Sequence, residues 1–162
     1  VHNITGRPVP GCPGMCRHEA DHQLTFAGRP ASVGVLRDWV ARHLRLGRHD
    51  YPARLTDDLV ICASEMGTNA IRHSRSGLPG GVFTASMWQG PGCVCLEVRD
   101  MGPRPDTPSV PHISDSMSAD FTCESGRGLG FVAALCDGRC GFTVPPNPRG
   151  HTVWCELRTP LA

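Results

Sequence analysis

Glu65, Asn69 and His73 recur at intervals of four in Glu65-Met66-Gly67-Thr68-Asn69-Ala70-Ile71-Arg72-His73, so on a helix they stand in one row along one face. Beside them runs an apolar row, Leu55, Leu59, Cys62 or Ala63, Met66 and Ala70, the pattern of a helix seated in a core. A carboxylate and an amide therefore border buried surface. Leaving such groups buried without partners costs roughly 1 to 3 kcal/mol each, so the row calls for a ligand, a metal or a hydrogen-bond network. Glu65 and Asn69 have the chemistry to hold magnesium and activate a hydroxyl; a polar helix edge facing solvent is the competing reading.

Two later segments carry chemistry of their own. Asp100 ends an apolar strand just before Gly102, where a carboxylate can accept a hydrogen bond from an exocyclic amine while the glycine lets a planar base come close. An aspartate that merely opens a turn has the same pattern. Gly126-Arg127-Gly128-Leu129-Gly130 leads into a helix and would offer backbone amides and a positive helix end to an anion. A tight loop is the alternative. No βαβ unit surrounds the run, so it is not a dinucleotide fingerprint.

The elements that must position these groups follow from periodicity. His22 to Ala27 reads as a strand. Pro30, Ala31 and Ser32 open a helix with Val33, Leu36, Val40 and Leu44 at core spacing and Arg37, Arg42 and Arg45 toward solvent, ended by Gly47. Thr56 is the expected N-cap of the long helix, with Asp57 and Asp58 in its first turn, and Ser-Arg-Ser-Gly-Leu-Pro-Gly-Gly stops it near His73. Val82–Gln89 and Cys93–Asp100 flank Gly90-Pro91-Gly92 as a hairpin. Met101 to Ser125 holds four prolines and little periodicity, and glycines at both ends suit a lid over a ligand. A short apolar helix over Phe131 to Asp137 and strands near 140–144 and 152–158 complete the chain. This order predicts an α/β two-layer sandwich, a mixed β-sheet with helices on one face.

Composition narrows the chemistry further. At 162 residues the chain suits one domain, residues 22–162, preceded by an irregular tail over residues 1–21. Its net charge of +1, without blocks of like charge, gives no sign of direct nucleic-acid or membrane binding. With no apolar run of membrane-spanning length and no signal-peptide core, a cytoplasmic location is expected. All 16 basic residues are arginine, which excludes a P-loop lysine and Schiff-base chemistry. Several of the nine cysteines lie in apolar runs, so reduced thiols are expected. In the tail, Cys12, Cys16 and His18, with His22, are residue types that suit zinc, although their spacing is not that of a familiar finger.

Taken in order, Glu-x3-Asn-Ala on a helix, Asp-x-Gly after a strand and Gly-x-Gly-x-Gly beyond a lid resemble the GHKL ATP-binding (Bergerat-type) fold. More narrowly, the chain resembles the anti-sigma-factor serine kinases and their actinobacterial ATP-binding relatives, from about Leu24 to Leu157 and including Gly150-His151-Thr152-Val153-Trp154. The resemblance implies ATP and Mg2+ as cofactors, with Asn69 as the Mg2+ ligand and Glu65 as general base toward the attacking hydroxyl. It implies that Asp100 selects adenine above Gly102, that Gly126, Arg127, Gly128, Leu129 and Gly130 line the triphosphate, and that Thr152 supports the base pocket. His73 is implied at the phosphates or as a helix cap. Pro103-Arg104 stands where many relatives have a second glycine. The implied activity is a protein serine kinase that phosphorylates an anti-anti-sigma (STAS-type) partner, with a sigma factor as a second candidate partner and a homodimer as a compatible assembly. The alternative is an ATP-binding regulatory module that sequesters its partner without phosphoryl transfer. The dimerising phosphoacceptor helix of a full sensor kinase is missing from the sequence, which argues against an autophosphorylating two-component kinase.

Overall fold

Apolar side chains alternate along four strands and fall on one side of a single sheet: Phe26, then Phe83, Ala85 and Met87, then Val94, Leu96 and Val98, then Val153, Cys155 and Leu157. The computed structural model describes residues 19–105, 127–143 and 150–159. In chain order the elements are β1 (His22–Ala27), α1 (Ala31–Leu46), α2 (Ala53–His73), a single 3-10 turn (Arg75–Gly77), β2 (Val82–Gly90), β3 (Cys93–Arg99), α3 (Arg127–Leu135), β4 (Cys140–Thr143) and β5 (Thr152–Arg158). The three helices supply the other half of the core, with Leu36, Val40, Leu59, Cys62, Ala63, Met66 and Val132 almost wholly buried against the sheet. Each large aliphatic side chain so buried contributes about 1.5–3 kcal/mol.

The strands lie in the order β1-β2-β3-β5-β4, and every hydrogen-bonded pair is antiparallel. The two-layer α/β sandwich is as expected, but the sheet is not mixed. β5 inserts between β3 and β4, so these two strands run in the same direction without ever pairing. The register sets Arg99 opposite Thr152 and Val98 opposite Val153, which brings the end of β3 beside the start of β5.

Two helix starts differ from the sequence expectation. α2 begins three residues before Thr56: Pro52 occupies its N-cap with φ −55°, and the amides of Leu55 and Thr56 both bond to the Pro52 carbonyl. The helix thus starts without a side-chain cap, on a proline whose φ is fixed near the helical value and whose carbonyl takes the first intrahelical bonds. α3 begins at Arg127 rather than Phe131, so Gly128, Leu129 and Gly130 form its first turn instead of a loop before it. Glycine's poor intrinsic helix propensity hides this turn from periodicity.

Cys62, Cys95, Cys136, Cys140 and Cys155 are free thiols. Cys93, on the side of the sheet away from the helices, is disulfide-bonded, against the expectation of reduced thiols throughout. Of the zinc-type cluster, Cys12, Cys16 and His18 lie outside the described residues, while His22 is on β1 with its ring 4.2 Å from that of His43. Most of the expected lid, residues 106–125, also lies outside the described residues, as does Gly126. No helix among the described residues is long and apolar enough to cross a membrane.

Candidate functional site

α2 is central because it touches α1, α3 and three strands while keeping one edge uncovered. Its apolar stripe, Leu55 through Ile71, is buried; Glu65 and Asn69, one turn apart, are half-buried at the stripe's border. Among the described residues no hydrogen bond engages either side chain. What faces them is the first turn of α3. A methyl group placed on Gly128 would lie 2.5 Å from Glu65 Oε2 and 3.6 Å from Asn69 Nδ2. Only a residue without a side chain lets the amino end of α3 stand this close to a carboxylate and an amide. The partial positive charge of that helix end and its first-turn amides therefore adjoin both groups, an arrangement that suits a bound anion.

The second part of the site is the corner between β3 and β5. Asp100 Oδ1 accepts hydrogen bonds from the amides of Gly102 (2.6 Å) and His151 (2.8 Å), and the Asp100 amide donates to the His151 carbonyl (2.9 Å). The turn-opening role of this aspartate is thus real, but it occupies only one carboxylate oxygen. Oδ2 lies 3.8 Å from His151 Nδ1, and no hydrogen bond reaches it among the described residues. The Asp100 side chain is 10% exposed and that of His151 7%. Gly102 has φ +82° and Gly150 φ +118°, values that L-residues with side chains rarely adopt. A Cβ on Gly150 would collide with the Asp100 carbonyl.

A set of contacts joins this corner to the end of α2. Ser74 Oγ donates to the Ala70 carbonyl and accepts from the Ser76 amide. Ser76 Oγ in turn accepts from the Met101 amide at 3.0 Å. Arg75 binds the Met101 carbonyl through Nε and Nη2, and its amide donates to the Gly102 carbonyl. From the other side Arg104 donates to the carbonyls of Ser74 and Ile71, both at 3.1 Å. A guanidinium on orphan carbonyls at a helix C-terminus opposes the negative end of the helix dipole. The Asp100–Arg104 segment and the helix that carries Glu65 and Asn69 are thereby held as one unit.

The structure places Glu65, Asn69 and Gly128 together, and Asp100 and Gly102 together at the corner joined to α2. Leu129 is buried in the core, and Gly130 follows it in the same helical turn. Arg127 opens α3. His73 closes α2 with an exposed side chain. Thr152 pairs with Arg99 and Thr143, and strand alternation gives it the face opposite Val153, away from the helices. His151, on the same side as Val153, takes the place against Asp100. Sequence reasoning missed His151, Ser74, Ser76, Arg75 and Arg104. The serines and Arg75 read only as a helix stop, and Arg104 only as a departure from a glycine pattern.

A search among curated proteins returned no match. A family model described as a histidine kinase-like ATPase domain matches residues 26–155, which takes in the core, Glu65, Asn69, Asp100 and the first turn of α3. With a match over most of its length and an α/β fold of this kind, the chain belongs to the family of histidine kinase-like ATPase domains.

Proposed function

We propose that this protein is a Mg-ATP-dependent serine kinase of the anti-sigma-factor type, which phosphorylates an anti-anti-sigma partner and so regulates transcription from the cytoplasm. The observation that carries the reading is the seating of Gly128 against Glu65 and Asn69. It sets a carboxylate, a neutral amide and a helix amino end around one small space, the groups that phosphoryl transfer to a hydroxyl requires.

In this reading Asp100 Oδ2 accepts the exocyclic amine of adenine, while Oδ1 stays committed to the amides of Gly102 and His151. The opening residues of α3, Arg127 to Gly130, face the phosphates with backbone amides. Magnesium fits the Asn69 amide oxygen, since this ion is usually held by one or two protein oxygens together with phosphates and water. Among the described residues no group of three or more His, Cys, Asp or Glu side chains forms a metal cage. When bound, magnesium offsets phosphate charge. Glu65 takes the proton from the attacking serine hydroxyl, and its half-buried position, free of hydrogen-bond partners among the described residues, leaves both oxygens for that task.

The test is incubation with labelled ATP and a STAS-type candidate partner. Wild type is expected to transfer label to a serine, and Glu65→Gln to bind ATP without transfer. Equal transfer by the variant sinks the role of Glu65. Tight ATP binding with no transfer to any candidate by wild type supports instead an ATP-governed module that sequesters its partner.

A further inference from the structure

Asp100 is the only acidic side chain among the described residues that carries a buried histidine within ion-pair distance. The partner, His151, has a double attachment: its amide holds Oδ1 at 2.8 Å, and its ring Nδ1 stands 3.8 Å from Oδ2, too far for a hydrogen bond and close enough to form one after a small ring movement. Both side chains are at most a tenth exposed, so little water intervenes to screen a charge on the ring.

We propose that His151 is a positioning residue for the base-reading carboxylate: its neutral form leaves Asp100 Oδ2 to the base, and its charged form takes that oxygen for itself. This rests on the nucleotide reading above. A neutral imidazole must donate through only one of its nitrogens, whereas the imidazolium donates through both, so charging guarantees an Nδ1–H aimed at the carboxylate. The resulting charge-assisted bond is stronger than the neutral amine-to-carboxylate bond it competes with. Adenine affinity therefore falls as the ring charges.

Other charged groups surround the corner. Arg99 flanks Gly150, Arg75 is fixed on the Met101 carbonyl, and Arg104 is fixed on the carbonyls of Ile71 and Ser74. These guanidiniums keep their charge throughout the neutral and mildly acid range. Among the described residues, Glu65 and His73 on α2, the helix to which the corner is tied, are further titratable groups, and the nucleotide's own phosphates titrate as well. All of these are common to wild type and a variant altered only at His151.

The experiment compares the full chain with His151→Asn, whose amide nitrogen can stand near the place of Nδ1 but does not titrate, and whose main-chain amide still serves Oδ1. Affinity for an ATP analogue labelled on the ribose is measured by fluorescence anisotropy with magnesium, from about pH 8 to about pH 5.5, the span over which histidine commonly charges. Thermal melts at each pH restrict the comparison to folded protein. Wild type is expected to lose about tenfold more affinity across the span than His151→Asn. Parallel losses in the two proteins overturn the proposal, as does a wild-type profile that does not change. Absence of binding at pH 8 overturns the nucleotide reading itself and this inference with it, a result distinct from a missing pH dependence.

Discussion

Replacing Gly128 by alanine separates the candidate site from the fold. Gly128 lies in the first turn of α3 and has no positive φ, so alanine is conformationally acceptable there and helps the helix by up to about 1 kcal/mol. The added methyl meets Glu65 Oε2 at 2.5 Å and Glu65 Cδ at 3.5 Å, and no main-chain atom is among its three nearest contacts. Relief requires the carboxylate to retreat by roughly 1 Å, which a flexible glutamate does cheaply. The strain is therefore discharged on the proposed general base, and a 1 Å misplacement of a reacting group can lower a rate by about 100-fold. Gly128→Ala is expected to melt at the wild-type temperature or slightly above. Its phosphoryl transfer should fall by about two orders of magnitude, and its ATP affinity by several-fold because the methyl occupies space beside Asn69. Differential scanning fluorimetry, anisotropy with a labelled nucleotide and single-turnover transfer provide the three readings. Wild-type transfer and affinity in a folded variant would falsify the placement of the site. Loss of folding would refute the argument that Glu65 absorbs the clash.

Two further outcomes test the corner and its attachment. Asp100→Asn can keep the acceptor for the Gly102 and His151 amides but replaces the other carboxylate oxygen with an amide NH2, a donor where an acceptor stood; ATP affinity by calorimetry should fall about tenfold or more with little change in melting temperature, and an unchanged affinity removes Asp100 from base recognition. Arg104→Ala strips the Ile71 and Ser74 carbonyls of their guanidinium, a loss of about 1–2 kcal/mol that should lower the melting temperature by roughly 3–6 °C; an unaltered melt shows that the cap contributes nothing.

Most of the fold was legible because its elements are strongly periodic. The apolar row of α2 and the alternation in β3 survive as buried faces, and the strands begin and end within a residue or so of the expected bounds. The sheet's direction was not legible, since nothing local to β4 or β5 says that β5 enters between β3 and β4. α3 was misjudged at its start because two glycines with poor helix propensity fill its first turn, a penalty offset by the tertiary contact with α2. The site divides in the same way. Glu65, Asn69 and Asp100 stand out by residue type and by position at the ends or edges of apolar runs. His151 and Thr152 could be ordered only by knowing which of two adjacent residues at the start of β5 faces the helices, and a shift of one residue exchanges the faces.

The attachment of the two halves of the site decides which of them can move. Asp100–Arg104 is tied to the end of α2 by Ser74, Ser76, Arg75 and Arg104, through hydrogen bonds of 2.6–3.1 Å. The proposed base-reading corner and the helix bearing Glu65 and Asn69 are therefore expected to respond to a ligand as one body. α3 has no such polar fastening to α2 among the described residues. It meets α2 through packing at Leu129 and Val132 and through the close approach of Gly128, and it is followed by a turn in which Asp137 has φ +50° and Gly138 φ +74°. Apolar packing is non-directional and tolerates sliding that a hydrogen-bonded clamp resists. Any adjustment that brings amides onto a phosphate is thus expected in α3, with α2 as the fixed wall. For that reason the distance between Gly128 and Glu65, rather than the identity of Glu65 alone, is where the proposed transfer and mere binding are expected to divide.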